Sequence, residues 1–222
     1  SLVVSQITNE SERYLITYLN QHCYNTYCSD SEYKKILDSQ FTVYLDGVGV
    51  YYALKFLGYD TKKRFNASDL NTVIFSLFKE RKTPIFILGG KFGNDYIKKQ
   101  IESFGLNFKG YLNGFDEVLD KDIMLRVIKE SKAEVVIIGI SIPKQEKIAE
   151  FIYEKIDNVS ILCIGNFMEF FLGTKSRVPE FLRNSGLEWL HRFFSEPSRL
   201  WKRYLIGIPV FIYRILRLKI IS

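Results

Sequence analysis

Residues 134–166 read EVVIIGISIPKQEKIAEFIYEKIDNVSILCIGN. The first apolar run, VVIIGI (135–140), is short, continuous and rich in Val and Ile, as a strand buried on both faces should be. A helical pattern follows over 143–156, with Pro143 in its first turn, where a missing N–H costs least. A second apolar run, VSILCIG (159–165), then ends in glycine. Strand, helix and strand in this order make a βαβ unit, and such units build parallel sheets.

The same alternation extends outward. Strand-like runs occur at 14–19, 42–45 and 84–90. Helical patterns cover 20–38, 49–57, 68–82, 93–104 and 117–131. Ser68 or Asp69 can cap one of these helices, and Asn94 or Asp95 another. The expected fold is α/β with a largely parallel sheet and flanking helices. The chain opens inside a helical pattern, LVVSQITN (2–9), which leads us to expect a further strand ahead of it in the natural protein.

With 222 residues the chain is one domain with room for an appendage. Apolar residues at 47% and charged residues at 25% suit a chain that builds a core. Five prolines and fourteen glycines exclude collagen-like and linker-like classes. Three cysteines, at 23, 28 and 163, are too few for a disulfide scaffold and favour a reducing compartment. Two histidines without paired ligand spacing argue against a zinc site, and no metal is expected.

The net charge of +6 is concentrated at one end. Residues 175–222 hold ten Lys and Arg against three acids, and beyond Glu196 six bases meet no acid. This divides the chain into a neutral core, 1–174, and a basic appendage, 175–222. From Trp201 the appendage runs WKRYLIGIPVFIYRILRLKIIS. Arg214, Arg217 and Lys219 interrupt it and Gly207 with Pro209 breaks its middle, so it is no transmembrane span. So many Ile and Leu side chains leave little to read base edges, which excludes nucleic acid as a partner. An interfacial helix on an anionic membrane fits the pattern, and a core helix packed on the body is the plainer alternative.

Four strand-like runs end in glycine: LDGVG, ILGGKFGN, IIGIS and CIGN. Glycine there lets backbone approach a ligand, and the helix that follows offers free N–H groups to phosphate. Ligands of open α/β sheets sit beyond the carboxyl ends of the strands, so all four segments are expected to face one crevice. No P-loop and no proper G-x-G-x-x-G occurs, which leaves a nucleotide-like ligand without a standard motif. Asp46 stands at one such strand end, before Gly-Val-Gly. It can serve as a general base or as a cap for the helix over 49–57, and local sequence leaves both open. Gln145 and Glu146 are polar groups at a helix N-terminus beside the same crevice.

Several segments, in order, carry a resemblance: LNQH around Asn20, LDGVGV, RFNASDL, ILGGKFGN, NGF at 113–115, GISIPKQE, IGNFMEFFLGTKSRVPEF and GLEWLHRFFSEPSRLWKRY. Together they resemble the TagA/WecG/CpsF family of bacterial glycosyltransferases, glycosyltransferase family 26, over about residues 13–212. The resemblance implies a Rossmann-like fold with a C-terminal helical appendage that touches the membrane. It implies an inverting, metal-independent transfer, without cofactor, from a UDP-sugar to a polyprenyl-diphosphate-linked saccharide. The place would be the cytoplasmic face of the plasma membrane, with the protein held peripherally, and a homo-oligomer is compatible with it.

By the same resemblance Asp46 matches the general base, and Asn20, Arg64 and Gln145 match substrate-binding positions. Arg203, Arg214 and Arg217 are assigned to the acceptor diphosphate or to the membrane. Tyr18, also expected at the substrate-binding pocket, where its phenol would reshape the sugar site, stands where relatives usually carry Thr; Ser68 stands where they carry Gly, and Glu169 where Asp is common. N-acetylmannosamine is the expected sugar. Another UDP-hexose used in capsule synthesis, glucose or galactose, is the alternative within the class, and a non-catalytic nucleotide- or lipid-binding module is the alternative outside it.

Overall fold

A computed structural model describes residues 2–9, 12–61, 66–114, 120–174 and 188–221. Among them six strands form one sheet: β1 (Leu15–Leu19), β2 (Thr42–Leu45), β3 (Pro84–Gly89), β4 (Asn107–Leu112), β5 (Val135–Gly139) and β6 (Ser160–Cys163). Their order is β2-β1-β6-β5-β3-β4, and every neighbouring pair is parallel. Alternate residues enter different cores. Ile16, Ile85, Ile87, Ile137 and Leu162 join one apolar cluster, and Leu15, Phe86, Leu88, Ile138 and Ile161 the other. Burial on both faces explains why these strands read as unbroken apolar runs.

Helices cover both faces. α1 (Leu2–Thr8), α5 (Ala67–Arg81), α6 (Asn94–Ser103) and the short α9 (Phe167–Phe171) supply the first cluster. α7 (Lys121–Ser131) and α8 (Lys144–Lys155) supply the second. α2 (Gln21–Ser29), α3 (Ser31–Ser39) and α4 (Val48–Leu57) follow β1 and β2.

The structure departs from the sequence expectations in four places. The helix expected over 20–38 is two, α2 and α3, because Asp30 turns the chain and caps α3 through Tyr33 N–H at 3.0 Å. Asn66, rather than Ser68 or Asp69, is the N-cap of α5, and its side chain accepts from Ser68 N–H. Gly93 precedes α6 with no side-chain cap. The edge strand β4 was not anticipated. Its sequence, NFKGYL, mixes Asn, Lys and Gly among apolar residues, and its register shifts beside Phe86. Gly110 is required there, since a Cβ would lie 2.6 Å from the Phe86 ring.

The tail is helical and packs on the body. α10 (Glu188–Ser195) leads to α11 (Pro197–Trp201), a π-helical stretch (Lys202–Ile206) and α12 (Gly207–Ile221). The break expected at Gly207 and Pro209 does not occur: α12 runs through both, and the irregular stretch is the π turn that precedes them. Pro209 falls in the first turn of α12, where a helix tolerates it. Phe211 and Ile215 of α12 are buried with Val50 and Ala53 of α4, and Tyr24 and Phe211 meet edge to face at 5.6 Å. Asn25 of α2 ties the start of α12 down, donating from Nδ2 to the Gly207 carbonyl at 2.6 Å. Among the described residues no helix is long and apolar enough to cross a membrane.

Candidate active site

The carboxyl ends of β1, β2, β5 and β6 open onto a crevice roofed by α10, the π stretch and α12. Two adjoining cavities fill it. One, of about 580 Å³, is the more polar of the two and reaches Tyr18, His22, Asn71, Ser141, Asn166 and Arg199. The other, of about 510 Å³, is mostly apolar and runs between α4 and α12. Asn20, Asp46, Ser68, Arg192, Arg203 and Tyr204 line both, and so mark their junction. Three of the four glycine-ended segments meet the crevice. The end of β3 does not line either cavity: Gly89 lies so close to the Gly139 backbone that a Cβ would be 2.4 Å from its carbonyl oxygen.

Asp46 is fixed by the backbone of two elements. Its N–H donates to the Leu19 carbonyl at the end of β1. Its Oδ1 accepts from Ala67 N–H at 2.9 Å, in the first turn of α5. So Asp46 does cap a helix, but α5 and not the adjacent α4. Asn20 caps α2, with Oδ1 accepting from His22 N–H at 3.0 Å and Cys23 N–H at 3.1 Å. From that position Asn20 lines both cavities.

Gln145 and Glu146 lie beneath the crevice, fully buried. Gln145 Oε1 accepts from Gly165 N–H at 2.9 Å, and its Nε2 donates to Glu146 Oε1 at 3.0 Å. Thr17 Oγ1 donates to the same Glu146 oxygen at 2.8 Å. The second oxygen, Oε2, has no partner among the described residues. Burial raises the Glu146 pKa, against the lowering effect of its hydrogen bonds to Gln145 and Thr17. The network holds the end of β6 against β1. Gly165 has φ +55°, and a Cβ there would come within 2.3 Å of Tyr18 Oη. Gln145 thus shapes the crevice from below, while Tyr18 reaches into the polar cavity directly. Arg64 lies outside the described residues.

The three tail arginines occupy different surroundings. Arg203, in the π stretch, sits at the junction of the cavities. Its guanidinium makes no hydrogen bond or ion pair with any described residue, and its Nε is buried. Arg214 also lines the larger cavity, where it donates from Nη1 to the Asn25 carbonyl at 2.5 Å and to Asn25 Oδ1 at 3.2 Å, which staples α12 to α2. Arg217 is exposed and lines neither cavity. Single π turns are often found at functional sites, and here one turns Arg203 and Tyr204 into the crevice.

Sequence reading did not single out several lining residues. Trp189 packs edge-on against Tyr204 at 5.8 Å, and Arg192 lies over the Phe170 ring at 5.0 Å. Both belong to the GLEWLHR segment, which was the available signal. His22 is held neutral in the polar cavity: burial and the nearby Arg203 lower its pKa to about 4. The Cys23 thiol is pushed up to about 12, chiefly by burial, and is inert at neutral pH. Among the described residues no three His, Cys, Asp or Glu side chains gather closely enough to hold a metal ion.

A polar and an apolar cavity that share a carboxylate and a guanidinium suit an enzyme that joins a hydrophilic substrate to a lipophilic one. The profile of the Glycosyl transferase WecG/TagA/CpsF family matches residues 2–222, and the chain belongs to that family of glycosyltransferases. Among its curated relatives is the N-acetylglucosaminyldiphosphoundecaprenol N-acetyl-beta-D-mannosaminyltransferase of Bacillus subtilis (strain 168). The two are 26% identical over 193 residues, which span 85% of this chain and 73% of the relative.

Proposed function

We propose that the chain transfers N-acetylmannosamine from a UDP-sugar to a saccharide carried on a polyprenyl diphosphate; the name of the Bacillus subtilis relative describes, for that protein, N-acetylmannosaminyl transfer to N-acetylglucosaminyldiphosphoundecaprenol. The observation that carries this reading is the place of Asp46, where the polar and apolar cavities meet. The UDP-sugar occupies the polar cavity and the acceptor enters from the apolar one. The acceptor hydroxyl attacks the anomeric carbon as the bond to UDP breaks, and its proton passes to the Asp46 carboxylate. A single displacement of this kind inverts the anomeric centre. UDP leaves with added negative charge, which the Arg203 guanidinium can meet with paired N–H donors. Side-chain cations in this role make the transfer metal-independent.

The same reading places the protein peripherally on the cytoplasmic membrane face. Tyr213, Ile220 and Ile221 are exposed on the tail, close in sequence to Arg217 and Lys219. Apolar side chains with neighbouring bases favour an anionic bilayer surface.

The test is UDP release from a panel of UDP-sugars, each offered with a diphosphate-lipid-linked N-acetylglucosamine and with no metal added. UDP-N-acetylmannosamine is expected to give the fastest acceptor-dependent release, insensitive to EDTA. Faster release from UDP-glucose or UDP-galactose would reassign the donor. Acceptor-independent binding without release from any donor would leave only a binding module.

A further inference from the structure

Asn71 breaks the apolar face of α5. Leu70, Ile74, Phe75 and Phe78 of that helix are buried in one core cluster, as their spacing of three and four residues predicts. Asn71 shares this inward face and is only 1% exposed. Its Oδ1 accepts from the hydroxyl of the buried Tyr44 at 3.3 Å. Its Nδ2 has no acceptor among the described residues, and burial keeps it from bulk water. An orphaned buried donor is destabilising, so folding alone would favour leucine at this place.

Asn71 also lines the more polar cavity, as do Tyr18 and Ser68. Tyr44 links two of them: its hydroxyl bonds Asn71, and its ring lies 6.2 Å from the Tyr18 ring. Ser68 stands about one turn before Asn71 on α5. Ala67, Ile164 and Phe167 line the same cavity. All three belong to, or pack against, the cluster that buries Leu70, Ile74 and Phe75. The unmet donor thus sits where the apolar core gives way to the cavity wall.

We propose that Asn71 recognises the donor sugar: its amide N–H donates to the carbonyl oxygen of a 2-acetamido group, and the methyl of that group lies against Ala67 and Phe167. The inference rests on the donor class given above and adds the residue that tells an acetamido sugar from a plain hexose. Two features of the wall select this group. What Asn71 lacks is an acceptor, and a carbonyl oxygen accepts without bringing a proton of its own. A 2-hydroxyl would accept too, but its proton would be left unmatched beside Ala67 and Phe167. The methyl, in turn, suits a wall of Ala, Ile and Phe, from which it displaces water. A site built around a buried hydrogen-bonding group rejects the analogue that leaves that group unpaired. The uracil ring of UDP also carries carbonyls, so the test separates nucleotide from sugar.

Calorimetry with the full chain, without acceptor or membrane, uses three probes: UDP, UDP-mannose and UDP-N-acetylmannosamine. The two sugars differ only in hydroxyl against acetamido at C2. UDP-N-acetylmannosamine is expected to bind at least about tenfold more tightly than UDP-mannose. Asn71→Leu and the smaller Asn71→Val remove the amide and suit a buried helical face. Each should cut that preference to less than about threefold, while UDP affinity changes less than about twofold. UDP binding also reports folding, since a chain that has lost its structure would lose UDP as well.

Equal wild-type affinity for the two sugars would overturn the inference, as would variants that keep the full preference. UDP weakened as much as UDP-N-acetylmannosamine would also overturn it, by placing Asn71 at the nucleotide. These readouts need no turnover. If the binding pattern holds but no donor and acceptor pair reacts, the transfer reading fails and the sugar contact stands. If N-acetylmannosamine is transferred and Asn71→Leu leaves the donor preference intact, the sugar contact fails and the transfer reading stands.

Discussion

Asp46 Oδ1, at the end of β2, accepts a 2.9 Å hydrogen bond from the backbone N–H of Ala67, the first residue of α5. A helix that starts 21 residues later in the chain therefore orients the carboxylate at the junction of the two cavities. Capping α5 keeps Asp46 on the lining of both cavities, where the general-base role proposed above would act. Asp46→Asn keeps an acceptor oxygen for Ala67 N–H but loses the basic group. Transfer should fall on the order of 10²–10⁴-fold with the thermal unfolding midpoint nearly unchanged. A rate near that of the wild type would make Asp46 a cap alone.

Arg203 and Arg214 should separate on measurement. Arg214→Ala removes a charged donor from Asn25 and should destabilise the fold by about 1.5–3 kcal/mol, read as a drop in unfolding midpoint. Arg203→Ala should leave the midpoint in place and slow transfer to a soluble diphosphate acceptor about a hundredfold. Reversed outcomes would exchange the two roles.

The buried Glu146 gives a prediction on stability and pH. Its folded pKa is raised, so the folded state holds its proton more firmly than the unfolded chain does. The associated stability is complete below the ordinary carboxyl range and is lost as pH rises through the folded value. Glu146→Gln mimics the neutral acid and should hold or raise stability at pH 8 relative to wild type. Glu146→Ala strands the Thr17 hydroxyl and the Gln145 amide, at about 1–3 kcal/mol for each unpaired donor. Denaturation curves at pH 5 and pH 8 distinguish these outcomes, and a destabilised Gln variant at pH 8 would show that the carboxylate is the folded form.

His22 has the opposite sign at the acid side. Its pKa is lowered to about 4, so between roughly pH 6.5 and 4 the unfolded chain binds the additional proton. Stability from the neutral imidazole is present above that window and declines on acidification through it. His22→Gln should flatten the fall of the unfolding midpoint between pH 7 and 4. An unchanged profile would place the titration elsewhere.

Gly165 and Tyr18 form a testable pair. Gly165→Ala adds a Cβ within 2.3 Å of Tyr18 Oη at a position with φ +55°. It should destabilise the protein, and Tyr18→Phe in the same chain should recover part of the loss by removing that oxygen. The remaining deficit is the backbone cost of a left-handed alanine, about 1–2 kcal/mol. Strictly additive effects of the two substitutions would mean that the contact is relieved by movement of the ring.

The residue sequence by itself determined the α/β alternation, the burial of the central strands on both faces and the position of Asp46 and Asn20 at strand ends. Those features are local: a continuous run of Val and Ile, or a glycine after it, is legible within one short window. It also located the basic, apolar tail. Its limits appear where composition is weak or mixed, as at β4, and where a polar residue ends one helix and starts another, as at Asp30.

Tertiary structure decided which partner each polar side chain meets. PKQE announces a helix start beside a crevice, yet burial under Gly165 makes Gln145 a support of the wall rather than part of its surface. Arg203 and Arg214 are both bases of one tail. A π stretch turns the first into the crevice, and Asn25, 189 residues earlier, captures the second. Periodicity along the chain encodes which face a side chain occupies, but the distance to a residue so far away is set only when the sheet and its helices close around the core.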